Sequence, residues 1–222
     1  SAERFWPIFR RFHRYSRAVL SATASLDAEL AGRGIGKLRR WTRGIDHGLF
    51  RPEGPRHPAM VDLPQPVLLN VGRVAKEKNL EAFLSLDVTG SKVVVGDGPA
   101  LDALRHKYPE VHFLGALSGE PLASAYRAAD CFVFPSLTDT FGLVVIEALA
   151  CGVPVAAYPV AGPADILGAE GRGEAGDFPR AVGVAADDLA SAVRQALTLR
   201  RDDAARFASR FTWGAATDQF LD

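Results

Sequence analysis

From residue 67 onward the chain repeats one unit: a short apolar run, a turn at its end, and a stretch with helical spacing. The runs are Val67–Val71 before Gly72, residues 92–95 before Gly96, and residues 111–114 before Gly115. Cys131–Phe134 and residues 153–157 come next, with a last candidate at 182–184. Between them the spacing predicts helices over residues 79–86, 99–107 and 120–129 and over Leu143–Ala150. Pro99 suits a first helical position, where its missing N–H is not needed. Runs this short and this apolar have no face to show to water. They belong in a parallel sheet covered by helices on both sides, an α/β fold. Residues 187–199, 202–209 and 212–221 read as closing helices.

Length allows one large domain, or one domain and a fragment: 222 residues, 48% hydrophobic and 23% charged. No apolar run approaches the roughly 20 residues that cross a bilayer. The first residue is Ser, and no signal-peptide pattern comes after it. Cys131 and Cys151 lie in apolar surroundings without CxxC spacing, which predicts free buried thiols in a reducing compartment. The five His are scattered, so no metal centre is expected. Neither cofactor nor nucleic acid is indicated.

Net charge is zero but unevenly spread. Residues 1–43 hold ten Lys or Arg against three acids, and the rest is acid-rich by the same margin. The opening stretch interleaves Phe5, Trp6, Phe9, Phe12 and Tyr15 with arginines. Such a segment can lie on an anionic membrane surface, or it can pack its rings on a partner domain. Pro7 argues against a long helix there.

Before the repeat, residues 18–21 are a short apolar run and Thr23-Ala-Ser25 caps a helix over 26–31. Gly32, Gly34 and Gly36 stop it, and 38–41 reads as a short strand. Residues 44–52 are turn chemistry. Five prolines between 52 and 66 mark a linker. The expected division is 1–50, a linker at 51–66, a main domain at 67–200 and helices at 201–222.

In parallel sheets ligands bind where strands end and helices begin. After Gly72 come Arg73 and Lys78, two cations beside one loop, able to neutralise a diphosphate without a metal. They can equally be surface residues paired with Glu77 and Glu81. Gly96-Asp-Gly98-Pro99 allows close backbone approach, but Ala100 and Leu101 break the GxGxxG spacing of dinucleotide sites. No P-loop or Gly-x-Ser-x-Gly elbow is present. The segment from Ser136 to Glu147 is the most specific. Asp139 and Glu147 are about 12 Å apart along a helix axis, roughly the span from a hexose across a diphosphate to a ribose. Carboxylates accept sugar hydroxyls, and a helix N-terminus attracts phosphate. Glu147 sits among Val144, Val145, Ile146, Ala148 and Leu149, where a buried carboxylate needs a partner.

Taken in order, these residues resemble the retaining glycosyltransferases of the GT-B fold, of the sucrose-synthase and bacterial mannosyltransferase type. Gly44-Ile-Asp46 with Phe50-Arg-Pro52 is similar to the family's interdomain segment. Gly72-Arg73 with Glu77-Lys78 is similar to its phosphate loop, and Gly96-Asp-Gly98 to its second glycine loop. Ala129-Asp130 through Ser136 matches the strand before its acidic motif, and Asp139 to Glu147 stands for its E-x7-E motif. Ala150-Cys-Gly-Val-Pro-Val155 matches the family's segment on the C-terminal side of that motif.

The resemblance implies a Rossmann-like donor domain, the C-terminal domain of a GT-B fold, with a remnant of the N-terminal domain before it. It implies that Arg73, Lys78 and Asp139 act in catalysis: the two cations on the donor diphosphate, and Asp139 on hydroxyls of the transferred sugar. Backbone at Thr140, Phe141, Gly142 and Leu143 would hold the diphosphate and sugar. Glu147 would take the ribose hydroxyls, Leu114 and Gly115 would lie near the base, and Gly72, Gly96 and Gly98 would line the donor. Asp139 stands where the family usually has Glu. The Thr138-Asp-Thr-Phe-Gly142 variant is similar to that of bacterial lipid-linked mannosyl- and glucosyltransferases. That implies a GDP-mannose or UDP-hexose donor, a lipid or glycan acceptor, and a cytoplasmic location with peripheral contact at the inner membrane face. The family's acceptor loops and their His have no counterpart here, which implies a partial protein that binds donor weakly and turns over little. A non-catalytic sugar-nucleotide module, a nicotinamide-dependent oxidoreductase and a phosphorylase-like enzyme are the other classes such a sheet can serve.

Overall fold

The structure, a computed structural model, describes residues 5–138 and 141–221. It opens with helix α1 (Trp6–His13), whose Pro7 lies in the first turn, where a helix tolerates it. A small β-α-β unit comes next: β1 (Val19–Ser21), α2 (Ala24–Gly32) and β2 (Leu38–Arg40). The Thr23 hydroxyl caps α2 by accepting from the Leu26 N–H at 3.2 Å, as the Thr-Ala-Ser pattern predicts. The two strands pair in parallel, with Val19 opposite Leu38.

The main sheet comes after residue 66. Its strands are β3 (Val67–Val71), β4 (Ser91–Val95), β5 (His112–Gly115), β6 (Cys131–Phe134), β7 (Val155–Ala157) and β8 (Gly183–Ala185). All pair in parallel, in the spatial order β5-β4-β3-β6-β7-β8. The intervening helices are α3 (Leu80–Leu84), α4 (Leu101–Lys107), α5 (Gly119–Ala128), α6 (Leu143–Ala150) and α7 (Pro163–Leu167). Then come α8 (Leu189–Ala196), α9 (Arg201–Ala208) and α10 (Trp213–Leu221).

Period-two geometry divides the core into two layers. Val67, Leu69, Val71, Phe132 and Phe134 face one way, onto α5, α6, α7 and α9. Leu68, Val94, Cys131, Val133 and Ala156 face the other, onto α3, α4 and α8. Every residue of β3 and β6 is buried, as two-sided coverage requires. Full burial of one such side chain is worth roughly 1.5–3 kcal/mol, and an exposed ion pair about 0–1 kcal/mol. The two apolar layers therefore hold the sheet, and the many surface arginine–carboxylate pairs add little.

Two expectations shift in detail. Helix α4 begins at Leu101 with Ala100 as its cap residue, not at Pro99. The backbone before it is committed elsewhere: Val74 N–H donates to Asp97 O at 2.9 Å, and Ala100 N–H to Val74 O at 3.1 Å. The loops after β3 and β4 are thus laced together. A Cβ on Gly96 would collide with the Gly72 carbonyl oxygen, and one on Gly98 with that of Val74. The proline-rich stretch, second, is mostly exposed but does not hang free. Met60 is fully buried, His57 N–H donates to Ser124 O, and Arg127 reaches Pro55 O at 2.9 Å and Leu49 O at 3.4 Å.

The N-terminal unit docks on the main domain along one seam. The Asp165 carboxylate accepts from Ser25 N and Oγ at 2.9 and 2.7 Å, and Arg40 pairs with Glu174 at 3.1 Å. Gln219 on α10 accepts from Thr42 N and Oγ1, both at 2.8 Å, and Phe220 packs on Trp41.

Candidate functional site

Strand β3 has β4 on one side and β6 on the other, and each crossover leaves in a different direction. This is the topological switch point of the sheet, where α/β folds place ligands. A cavity of about 620 Å³ opens there. Its floor is Asn70, Val71 and Gly72 at the end of β3, with Phe134, Pro135 and Ser136 at the end of β6. One wall is the entry to α6 at Phe141, Gly142 and Leu143, and the facing wall is Leu20, Ala22, Leu26 and Arg43 of the N-terminal unit. Arg73 and Lys78 line the same space.

Local structure explains the shape. Asn70 is a polar residue in an otherwise apolar strand, and its side chain donates to Val133 O at 2.9 Å. Asn79 adopts a left-handed conformation after the single 3-10 turn Lys76–Lys78 and donates to Pro135 O at 3.1 Å. These two amides fasten the loop after β3 to the end of β6. Ser136 Oγ donates to Thr138 O at 2.8 Å and holds the start of the next turn.

Helix α6 starts from Gly142, whose φ of +81° is left-handed and suits glycine. Among the described residues no side chain caps it. Its first N–H groups, which have no partner inside the helix, lie at the cavity wall and give it a positive end. Across the floor stand three cations. Arg73 is exposed and pairs with Glu77 at 3.3 Å. Arg43 stacks over Trp41 at 4.2 Å. Lys78 is the third. Among the described lining residues there is no carboxylate.

Glu147 lies one turn into α6, about 6 Å along the axis from Leu143. It is half-buried, and the Tyr126 hydroxyl donates to its Oε2 at 2.8 Å. Burial pushes its carboxyl above the usual value, and the Tyr126 hydrogen bond pulls it partly back. Glu147 does not line the cavity but stands just beyond its α6 wall.

The other expected residues separate. Gly72, Arg73, Lys78, Phe141, Gly142 and Leu143 are brought together. Gly96, Gly98, Leu114 and Gly115 stand at the ends of the next strands over, outside the lining. Gly96 N–H donates to Gly115 O at 2.8 Å, and the packing of one loop on the next already demands both Gly96 and Gly98. Asp139 and Thr140 lie outside the described residues. Arg43, Asn70 and Tyr126 escaped the sequence reading, whereas Asn79 belongs to the expected phosphate-loop segment with Glu77 and Lys78; a lone Asn inside an apolar strand was the one available signal for the others.

Cys131 and Cys151 are buried, and burial pushes both thiols up, Cys151 to about 12, so neither is a thiolate nucleophile. Among the described residues no three His, Cys, Asp or Glu are grouped to hold a metal, and no helix is long and apolar enough to cross a membrane. Helix α1 exposes Ile8, Phe9 and Phe12.

Residues 65–199 match the family model described as Glycosyl transferases group 1. The sulfoquinovosyl transferase SQD2 of Arabidopsis thaliana is 33% identical over 185 residues, which covers 77% of this chain and 36% of that protein. A GDP-mannose-dependent alpha-mannosyltransferase of Mycobacterium tuberculosis is 36% identical over 173 residues, covering 75% of this chain and 46% of that protein. Among solved structures, sucrose-phosphate synthase from Thermosynechococcus elongatus superposes with a TM-score of 0.79 at 26% identity, covering 99% of this chain and 60% of that one. The chain spans less than half the length of these two curated relatives.

Proposed function

We propose that this chain, which belongs to the group 1 glycosyl transferases, is the donor-binding half of an enzyme that moves a hexose from a nucleotide-diphosphate sugar to a hydroxyl acceptor. The observation that carries this reading is the cavity at the switch point. It sets Arg73, Lys78 and Arg43 opposite the start of α6, with Glu147 one turn beyond.

A diphosphate in that cavity meets positive charge on both sides. A charge-assisted hydrogen bond is worth about 1.5–3 kcal/mol. Arg73 and Lys78 then stabilise the charge that grows on the departing nucleotide as the C1–O bond breaks, and this electrostatic term needs no metal. In this reading Glu147 accepts the ribose hydroxyls and Asp139 hydroxyls of the hexose. The acceptor oxygen bonds to C1 on the face the diphosphate leaves, so configuration is retained, and the acceptor proton passes to the leaving diphosphate. The mannosyltransferase relative supports GDP-mannose as donor, with a UDP-hexose as the other candidate. The acceptor in this reading is a lipid or glycan hydroxyl. The arginines and rings of α1 would touch an anionic membrane face, which sedimentation with anionic vesicles tests.

Isothermal titration of GDP and UDP decides the core of the reading. Glu147→Ala is expected to weaken binding by about 1–3 kcal/mol, the cost of losing charged hydrogen bonds. Unchanged affinity in the variant would sink it.

A further inference from the structure

The group the proposed chemistry leaves unused is the most deeply buried phenol in the chain. Tyr126, on α5, is fully buried. Its ring is clamped between Phe50, edge-on at 5.9 Å, and Phe132 at 5.8 Å. A buried hydroxyl needs a partner, and this one has Glu147 Oε2 at 2.8 Å. Among the described residues Oε1 of Glu147 takes no hydrogen bond. A carboxylate offers about four lone-pair sites. Tyr126 occupies one, and enough remain for two neighbouring hydroxyls.

We propose that Tyr126 is a positioning residue for the nucleotide: its hydroxyl fixes the Glu147 carboxylate in one rotamer, with the open oxygen turned to a vicinal diol. The proposal rests on the reading that Glu147 holds ribose. The bond does two things. It removes the rotamer freedom that Glu147 would otherwise lose on binding. It also favours the charged carboxylate against the burial that opposes it.

The surroundings leave the pair to act alone. The titratable groups that face Glu147 among the described residues are Tyr126 and, one turn on, Cys151. Burial holds the phenol and the thiol neutral across the working range. Arg127 on α5 and Arg201 on α9 bear on Cys151, not on the carboxylate.

Tyr126→Phe tests this, because it keeps the ring and removes only the hydroxyl. Nucleotide-diphosphate affinity, read by titration calorimetry from pH 5 to 8, is expected to fall about five- to tenfold at pH 7.5. The pH at which affinity fades on acidification should move up, because the hydrogen bond that favours the charged carboxylate is gone. A ¹³C titration of the Glu147 carboxyl in the nucleotide-free protein should move the same way, and a thermal melt checks that the variant folds. Glu147→Gln separates the two levels. If it leaves affinity untouched, the ribose role itself falls. If it weakens binding while Tyr126→Phe keeps wild-type affinity and midpoint, the positioning role alone is overturned. A loss of affinity in Tyr126→Phe without a shift in the carboxyl midpoint marks general loosening and also overturns it.

Discussion

Arg73 stands 65% exposed at the rim of the cavity, held by Glu77 four residues on at 3.3 Å. An exposed pair of this kind is worth about 0–1 kcal/mol. A charged hydrogen bond to a diphosphate is worth about 1.5–3 kcal/mol, so a nucleotide can take Arg73 from Glu77 at little cost. Arg73→Ala should then weaken GDP or UDP by about tenfold or more, while guanosine or uridine bind as before and the melting temperature barely moves. Equal losses for nucleoside and nucleotide, measured by calorimetry, would contradict the phosphate role.

At the scale of elements, the loops after β3 and β4 are one unit, because the Gly96 and Gly98 backbones press against the Gly72 and Val74 carbonyls. Gly96→Ala adds a methyl where there is no room, at a φ of +143°. It should cost about 3 kcal/mol or more, visible as an earlier denaturant midpoint, and should drag Arg73 out of place. A midpoint within error of wild type would mean the loops can part freely. This packing also shows where sequence reading stops. The strands were legible because β3 and β6 are buried on both faces and therefore apolar throughout. Helix α6 was legible at both ends, between Gly142 and Gly152. Helix α7 was not: it is short, and Gly162, Pro163 and Gly168 bracket it closely. It exists because Asp165 caps its own first turn and because Ile166 and Leu167 are buried. The same limit applies to the site. Arg73, Lys78 and Phe141 to Leu143 share local motifs. Arg43 joins the cavity, and Tyr126 reaches Glu147, only through contacts between segments 21 or more residues apart, which no local spacing encodes.

For the whole molecule, the seam between the N-terminal unit and the main domain decides the shape of the cavity, because Ala22 and Leu26 of that unit form its far wall. Asp165 ties the seam. Its Oδ1 accepts from Ser25 N and Oγ, while Oδ2 accepts from Gly162 N at 3.1 Å. Burial alone would raise its carboxyl, but these hydrogen bonds outweigh burial and hold it below the ordinary 3.8. A carboxyl lowered by folding stabilises the native state fully above its unfolded value, and that stability is lost as pH falls through the lower folded value. Asp165→Asn should therefore unfold at lower denaturant than wild type at pH 7, by about 1 kcal/mol, the scale of a lost cap. The gap should close as the wild-type carboxyl protonates below pH 4. The neutral amide keeps an acceptor oxygen, so the variant's own stability should be nearly flat through that window apart from changes shared with the wild type. Urea midpoints at pH 7, 5, 4 and 3 check this. A gap that stays constant down to pH 3 would mean the carboxylate charge is not what ties the two parts together.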